Sequence, residues 1–495
     1  MRTKILTPWC LLLALAVLTA GCLRDRYTYS RIRAEYGQRL HEAESAPVGA
    51  GDPVVLPDPD TPLSLERAVE IGLANNPDMD MALARIRQSE AMIDQARAAF
   101  WPSLSLYYEY TRGDAPSAYL FKVIDQRNLP PQVDFNDPGL FENNEVGLTA
   151  RTNFFNGGRD YLRVRMAETG LAMGALDRQS IRNGLVMSVI HAYYDALAAR
   201  DFIRISEESV ETVKAQLRIM KVRYEAGGVL KSDVLSLEVR LAQAREDLIR
   251  ARNAYSLAIA SLGNLMGLDP DTGLALVEGS RVSPALPGGY EEGLPMALAR
   301  RPELEKARLA VVQSRMGVDA ARGEYLPRLD AQAKLYADDE GLQFESDRAN
   351  WTAGMVMNWD FFTGFSTRAA AAKAEAALGE LLAADRKAVL SVKLDLKSAY
   401  LRLAEAEARL EVSRASVAQA EESLRLVKTQ YEGGSATVTR YLDAETARNR
   451  AETRAVAAFY DREKAQAAVA RAVGYWVDRG DASSELSGGV EHGGD

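Results

Sequence analysis

Histidine and cysteine, two residue types often used for metal binding and nucleophilic catalysis, are scarce in this sequence. Its 495 residues include three histidines and two cysteines. The histidines, His41, His191 and His492, are not paired at ligand spacing, so no metal site is expected. Neither a Walker loop nor a dinucleotide-binding glycine fingerprint is present. We therefore predict no catalytic residue, no metal and no cofactor, and we do not expect an enzyme.

Excess positive charge and long apolar runs are absent as well. The formal net charge is −9, so the chain has no electrostatic attraction to nucleic acid, which is not an expected partner. Beyond residue 22, no run of about eighteen apolar residues occurs, which argues against a transmembrane helix. If the chain crosses a membrane, it must do so with β-strands.

The N-terminus has the organisation of a secretory signal peptide rather than of a cytosolic start. Arg2 and Lys4 precede an apolar core at 11–18, and the sequence LTAGC ends at Cys22. The small residues before this cysteine resemble the lipobox of bacterial lipoproteins. The resemblance implies removal of residues 1–21 and acylation of Cys22.

Cys22 would be the one cysteine of the mature chain, because Cys10 lies in the signal peptide. A single cysteine cannot form an internal disulfide, whereas acylation gives it a use as a membrane anchor. We therefore expect a protein attached to outer-membrane lipid and extending into the periplasm. Residues 22–62 are proline-rich near their end and are predicted to be an extended linker.

Two halves of the chain repeat the same motifs in the same order. The predicted repeats are 63–268 and 291–475, joined by a linker at 269–290 and followed by a disordered tail at 476–495. The first half has a longer excursion at about 113–144. The matched motifs are NNP at 75–77 with RRP at 300–302, AFWP at 99–102 with EYLP at 324–327, FFNG at 154–157 with FFTG at 361–364, and YEAG at 224–227 with YEGG at 431–434.

Each half contains two strand-like segments in which apolar and polar residues alternate. Each segment has about ten residues, the length of a tilted membrane strand. Aromatic residues such as Trp101 and Trp351 lie near the ends. The pattern predicts β-hairpins within 102–155 and 327–362, four strands per chain. A small sheet half-buried in a soluble core would show the same alternation and remains an alternative.

Long seven-residue periodicities follow each pair of strands, and they predict helical hairpins at 157–267 and 366–474. Such spacing keeps one seam of a helix against its neighbours. A first helix of about 65 residues would be about 100 Å long. A filament-like coiled coil is the alternative for the helices alone. The second-half row is Val389, Leu396, Leu403, Leu410, Val417, Leu424 and Tyr431.

Four membrane strands cannot close a barrel within one chain, and open strand edges in lipid are costly. Closure must therefore come from several copies of the chain. Two copies would supply eight strands, whose interior is filled by side chains. Three copies would supply twelve strands and leave a lumen, and periodicity does not separate three copies from four.

The duplicated order of helix, strand pair, long helix, glycine turn and helix resembles the TolC-type outer-membrane efflux family, over about 63–474. The most specific motifs are RYEAG at 223–227, SDVL at 232–235, YEGG at 431–434 and YLDA at 441–444. The resemblance implies a mainly α chain with membrane β, whose duplicated helical hairpins form a homotrimeric α-helical barrel below a twelve-stranded β-barrel. It also implies a periplasmic adaptor and an inner-membrane RND or ABC transporter as partners.

Three functions are compatible with these observations. The favoured one is passive conduction of small molecules out of the cell in a tripartite efflux system. The second is a type I secretion duct for polypeptides with the same fold. The third, from another class, is a structural periplasmic coiled-coil lipoprotein.

The resemblance implies that the helix turns form the periplasmic gate. The turn glycines are Gly227, Gly228, Gly433 and Gly434.

Carried over by position, Asp233, with Ser232 beside it, should face Tyr431, and Asp443 should project into the pore. Arg440 stands where some members have an acidic residue, so Asp233 or Asp443 could pair with Arg440. Alternatively, Asp233 caps the returning helix, and Tyr431 fills the turn.

Overall fold

The computed structural model describes residues 62–277, 286–344 and 348–476. The predicted signal peptide, Cys22, nearly all of the 22–62 linker and residues 477–495 of the tail lie outside the described residues. The first repeat contains α1 (Leu65–Asn75), α2 (Pro77–Arg97), β1 (Ser103–Gly113), α3 (Pro116–Asp125), β2 (Phe141–Phe155), α4 (Arg159–Glu225) and α5 (Lys231–Leu265). The second repeat contains α6 (Tyr290–Arg300), α7 (Pro302–Arg322), β3 (Arg328–Asp339), β4 (Ala349–Asn358), α8 (Ser366–Glu432) and α9 (Val438–Ala472).

The break between α1 and α2 is determined by Asn76 and Pro77. The Asn76 side-chain oxygen accepts a hydrogen bond from the Asp78 N–H at 2.8 Å, which caps α2. Pro77 occupies the first turn, where its missing N–H costs nothing. The Asn76 amide also donates to the Leu265 carbonyl at 2.9 Å. The helix break is thereby tied to the far end of α5.

The two long helices, α4 and α8, have 67 residues each, or about 100 Å at 1.5 Å per residue. The seven-residue rows lie along their buried sides: Val189, Ala196 and Leu396 are fully buried. The periodicity prediction is confirmed. No helix in the described part of the chain is long and apolar enough to span a membrane.

The four strands form one antiparallel sheet in the order β1-β2-β3-β4, which confirms the four predicted strands. Leu106, Leu148, Leu335 and Trp351 lie directly across from one another. This row is apolar and exposed, with Leu106 at 79% and Trp351 at 75%. A sheet half-buried in a soluble core would cover such a row, so the alternative reading of the alternation is wrong for this fold.

The two repeats meet where strands give way to helices, at Gly157 and Gly323. A Cβ atom at 323 would lie 2.7 Å from the Gly157 carbonyl oxygen, so the backbones approach too closely for side chains. The Arg159 guanidinium lies 3.7 Å from the Glu324 carboxylate beside them. This glycine joint connects the end of β2 to the start of β3 within one chain.

Candidate functional site

The turns of the two helical hairpins lie side by side and share one apolar core, here called the turn cluster. The helices α4, α5, α8 and α9 all contribute to it. Its buried members are Val213, Leu217, Met220, Val234, Leu237, Leu241, Val427, Tyr431, Val438 and Tyr441. The cluster therefore couples the position of one turn to that of the other.

Both turns end the preceding helix with a glycine in the left-handed conformation. Gly227 has φ +74° and Gly434 has φ +78°, which L-residues with side chains adopt at a cost. The N–H of Gly228 donates to the Arg223 carbonyl at 2.8 Å, closing the first turn. Gly433 is the C-cap of α8, with φ −80°. The predicted turn glycines thus lie at the two turns, and one glycine in each turn, Gly227 or Gly434, has the left-handed conformation.

Asp233 lies in the first turn of α5. Its carboxylate accepts a hydrogen bond from the Leu230 N–H at 3.4 Å, in a capping arrangement. This contact is the capping role that the sequence leaves open for Asp233. Burial raises the pKa of the Tyr431 hydroxyl. The positive charge of Arg223 opposes this change, and the negative charge of the Asp233 carboxylate adds to it.

Tyr431 is buried in the turn cluster. Its ring stacks on that of Tyr441, with centroids 5.4 Å apart and planes inclined by 22°. The Arg223 guanidinium lies 5.8 Å from the Tyr431 ring centroid, and the Tyr431 hydroxyl contacts the Met220 sulfur at 3.9 Å. Burial raises the pKa of Tyr441 to about 12. Tyr431 thus fills the turn, as one alternative had it.

Ser232, Arg440 and Asp443 are exposed on the same end of the hairpins. The backbone N–H of Arg440 donates to the Thr437 hydroxyl at 3.3 Å, which caps α9. Among the described residues, no ion pair joins Arg440 to Asp233 or Asp443. The gate pairs remain a prediction, because they would form between copies of the chain.

Glu445, which the sequence reasoning missed, lies one turn beyond Tyr441 on α9. It is 2% exposed, and both carboxylate oxygens are buried without a hydrogen-bond partner. Burial raises the pKa of Glu445 to about 7, against the opposing attraction of Arg240 on α5 and Arg448 on α9. A carboxyl group that changes charge near neutral pH therefore lies within the hairpin packing.

Known proteins resemble this chain over most of its 495 residues. OpmQ of Pseudomonas aeruginosa, a pyoverdine export outer membrane protein, is 24% identical over 411 residues, which are 83% of this chain and 85% of OpmQ. AprF of the same organism, an alkaline protease secretion protein, is 27% identical over 325 residues. That alignment covers 63% of this chain and 64% of AprF.

Solved structures share the fold. The CmeC outer membrane channel of Campylobacter jejuni superposes with a TM-score of 0.74 at 16% identity, covering 86% of this chain and 88% of CmeC. The family model for outer membrane efflux proteins matches residues 69–268 and 293–475. These two ranges lie within the two predicted repeats and make up most of the sequence, so the chain belongs to the outer membrane efflux protein family.

Proposed function

We propose that this protein is the outer-membrane channel subunit of a tripartite efflux system and conducts small molecules passively to the exterior. Membership of the efflux family and the channel fold support it. The observation that carries the proposal is the unclosed sheet, whose two edge strands and exposed apolar face require both a membrane and further copies of the chain.

The edge strands β1 and β4 lie at opposite sides of the sheet. Their unpaired backbone groups would cost several kcal/mol each in lipid. If β1 of one copy pairs with β4 of the next, the ring closes without an edge. Three copies then form a twelve-stranded barrel with a lumen, with the exposed row at Leu106 and Trp351 facing lipid.

The long helices have matching unpaired faces. Large apolar side chains on α5 and α8 are exposed in the single chain, and burying each would contribute about 1.5–3 kcal/mol. In the closed ring, a neighbouring copy of the chain would pack against these side chains. These side chains are Leu235, Val239, Ile249 and Leu257 on α5, and Leu390, Leu394, Leu401 and Val412 on α8.

A periplasmic adaptor and an inner-membrane RND or ABC transporter would deliver the substrate at the hairpin turns. Acylation of Cys22 would attach each copy to outer-membrane lipid. Mass spectrometry of the purified N-terminus tests the anchor. The expected species begins at an acylated Cys22, and a free thiol there would contradict it.

The hairpin turns would form the gate. Asp233 follows Tyr224 by the same interval as Arg440 follows Tyr431, so the two charged residues hold equivalent positions in the two repeats. In a closed ring of six hairpins, acidic and basic side chains would then alternate around the entrance. Opposite charges at neighbouring hairpins would favour the closed state.

Single-channel recording in planar bilayers tests duct and gate together. We expect low-conductance pores from wild type and wider pores from the Asp233→Ala, Tyr431→Phe double variant. Tyr224→Phe, at the exposed equivalent of Tyr431, is the matched control. Pores unchanged in the double variant would contradict the gate residues. A protein that forms no pores and becomes a soluble rod without its acyl chains would instead be a structural coiled-coil lipoprotein.

Secretion of polypeptides is the second candidate, and the similarity to AprF favours it. The two candidates differ in what must pass the lumen. An unfolded polypeptide added to open pores should translocate through a secretion duct, whereas an efflux channel should be blocked by it.

A further inference from the structure

One helix has no counterpart in the described part of the second repeat: α3, which lies between β1 and β2. It packs against the polar face of the sheet. The Lys122 ammonium pairs with the Glu145 carboxylate of β2, and lies 3.1 Å from that of Asp338 on β3. Both carboxylates are buried, so removal of Lys122 would leave Asp338 without its cation.

The C-terminal end of α3 extends across the same face. The Gln126 amide donates to the Asn143 side-chain oxygen of β2 at 2.8 Å. The Arg127 guanidinium donates to the Asn350 side-chain oxygen of β4 at 3.1 Å. Contacts to β2, β3 and β4 hold the helix flat against the sheet.

The opposite side of α3 is apolar and uncovered. Phe121 is 68% exposed and Ile124 is 42% exposed, whereas Val123 between them is buried. Exposed apolar side chains that lie together on one side of a helix can mark a contact surface or line a passage. Here they project from the polar face of the sheet, the side away from the exposed Leu106 and Trp351 row.

The polar face becomes the lumen wall if the apolar row faces lipid. Twelve strands about 4.8 Å apart and tilted by about 40° enclose a backbone diameter of about 24 Å. A helix with its side chains is about 10 Å thick. Three such helices on the wall would therefore fill about half of the cross-section that the backbone encloses.

We propose that α3 is an exit constriction that determines which solutes leave the channel. Three copies place Phe121 and Ile124 around the axis at the end of the barrel remote from the hairpin turns. An apolar ring of this kind hinders hydrated ions by dewetting and passes small solutes with apolar surface. This inference rests on the trimeric channel proposed above.

Intersubunit crosslinking tests the placement without depending on the gate. In Phe121→Cys, a short bismaleimide should convert most of the protein to crosslinked dimers and trimers. Leu106→Cys is the matched control, since this side chain is at least as exposed but lies on the lipid-facing side. It should stay monomeric on a denaturing gel, as should wild type with Cys22 alone.

The outcomes separate the two proposals. An intact trimer in which the Phe121→Cys subunits remain uncrosslinked overturns the constriction and leaves the channel. A protein that is not trimeric overturns the proposed channel, and the constriction with it. In crosslinkable trimers, Phe121→Ser should raise ion conductance relative to Phe121→Leu, which keeps the ring apolar. Equal conductance of these two variants when the gate is opened by Asp233→Ala and Tyr431→Phe would contradict the selective role.

Discussion

The rings of Tyr431 and Tyr441 stack at 5.4 Å and join the end of α8 to the first turns of α9. The first hairpin has no such stack. Tyr224, the equivalent of Tyr431, is 43% exposed, and Val234 stands at the position equivalent to Tyr441. The second turn is therefore the stiffer of the two, and movement at the entrance should begin in the first.

Tyr431→Ala and Tyr431→Phe should differ strongly. Alanine removes the stack and leaves a cavity in the turn cluster, so the free energy of unfolding should fall by about 3 kcal/mol. Phenylalanine retains the ring and should cost under about 1 kcal/mol. Chemical denaturation followed by circular dichroism measures both. An equal loss in the two variants would mean that the hydroxyl, not the stack, stabilises the turn.

Reversing one charge at the entrance should open it, and reversing its partner as well should close it again. Asp233→Arg places cations at both equivalent positions, so open-channel conductance should rise. Combining it with Arg440→Asp restores alternation and should return conductance toward wild type. Failure of the double variant to recover would show that charge pairing between hairpins does not hold the gate closed.

The capping role of Asp233 can be separated from its charge. Asp233→Asn keeps a side-chain oxygen that can accept the hydrogen bond of the Leu230 N–H, whereas Asp233→Ala removes that bond. If charge closes the gate, both variants should raise conductance. If the cap alone matters, only the alanine variant should do so, with a lower thermal midpoint.

Glu445 should make stability depend on pH. Its folded pKa of about 7 exceeds the ordinary 4.5, so between these values the folded state retains a proton that the unfolded chain has lost. The free energy of unfolding should therefore decrease as pH rises from about 4.5 to 7, by at most about 3 kcal/mol. Above pH 7 this contribution stays lost.

Thermal midpoints at pH 5 and pH 8 test this expectation. Glu445→Gln should raise the midpoint at pH 8 and flatten the difference between the two conditions. Glu421→Gln, on an exposed position of α8, is the control and should keep the wild-type difference. A Glu445→Gln profile parallel to wild type would contradict a buried neutral carboxyl.

Alanine should destabilise the fold far more at Gly157, in the glycine joint, than at the neighbouring Gly158. Gly157→Ala would push a Cβ into the Gly323 carbonyl with φ at +73°, and should cost roughly 2–5 kcal/mol. Gly158→Ala should cost only about 1 kcal/mol. Its Cβ meets open space, and Phe365 already occupies the equivalent left-handed position. Denaturant midpoints distinguish the two.

Gly364 is the second-repeat equivalent of Gly157, and a Cβ there meets nothing within one chain. If the ring closes by the same joint, the next copy's chain approaches at this point. Gly364→Ala should then weaken trimer assembly on a native gel while leaving the secondary structure of each chain intact. A normal trimer would contradict equivalence between the internal joint and the joint between copies.

The sequence predicted the elements that depend on local periodicity. Seven-residue spacing placed Leu396 and Leu410 in the buried side of α8, where both lie. Alternation predicted the strands, although β2 extends to Phe141–Phe155. The helix α3 was not predicted, because its position depends on Lys122 meeting Asp338, more than two hundred residues away.

Glu445 was missed for a related reason. In α9, alanines recur every seven residues from Ala444 to Ala472, and this row predicts that Glu445, next to Ala444, is solvated. Arg240, which faces Glu445, lies on α5, in the other hairpin and about two hundred residues earlier in the chain. Contacts between copies, such as those expected of Arg440 and Asp443, are determined by assembly, which one sequence does not contain.

The helix α3, which has no counterpart in the described part of the second repeat, breaks the near-sixfold order that the duplicated helices would give to the assembled trimer. The entrance is built from both repeats, and a change in either turn alters contacts on each side of it. The segment at 114–140 is inserted between β1 and β2, and its Lys122, Gln126 and Arg127 side chains bind residues of the sheet. Replacement of residues 114–140 should therefore alter which solutes leave the channel without changing the surface presented to the pump.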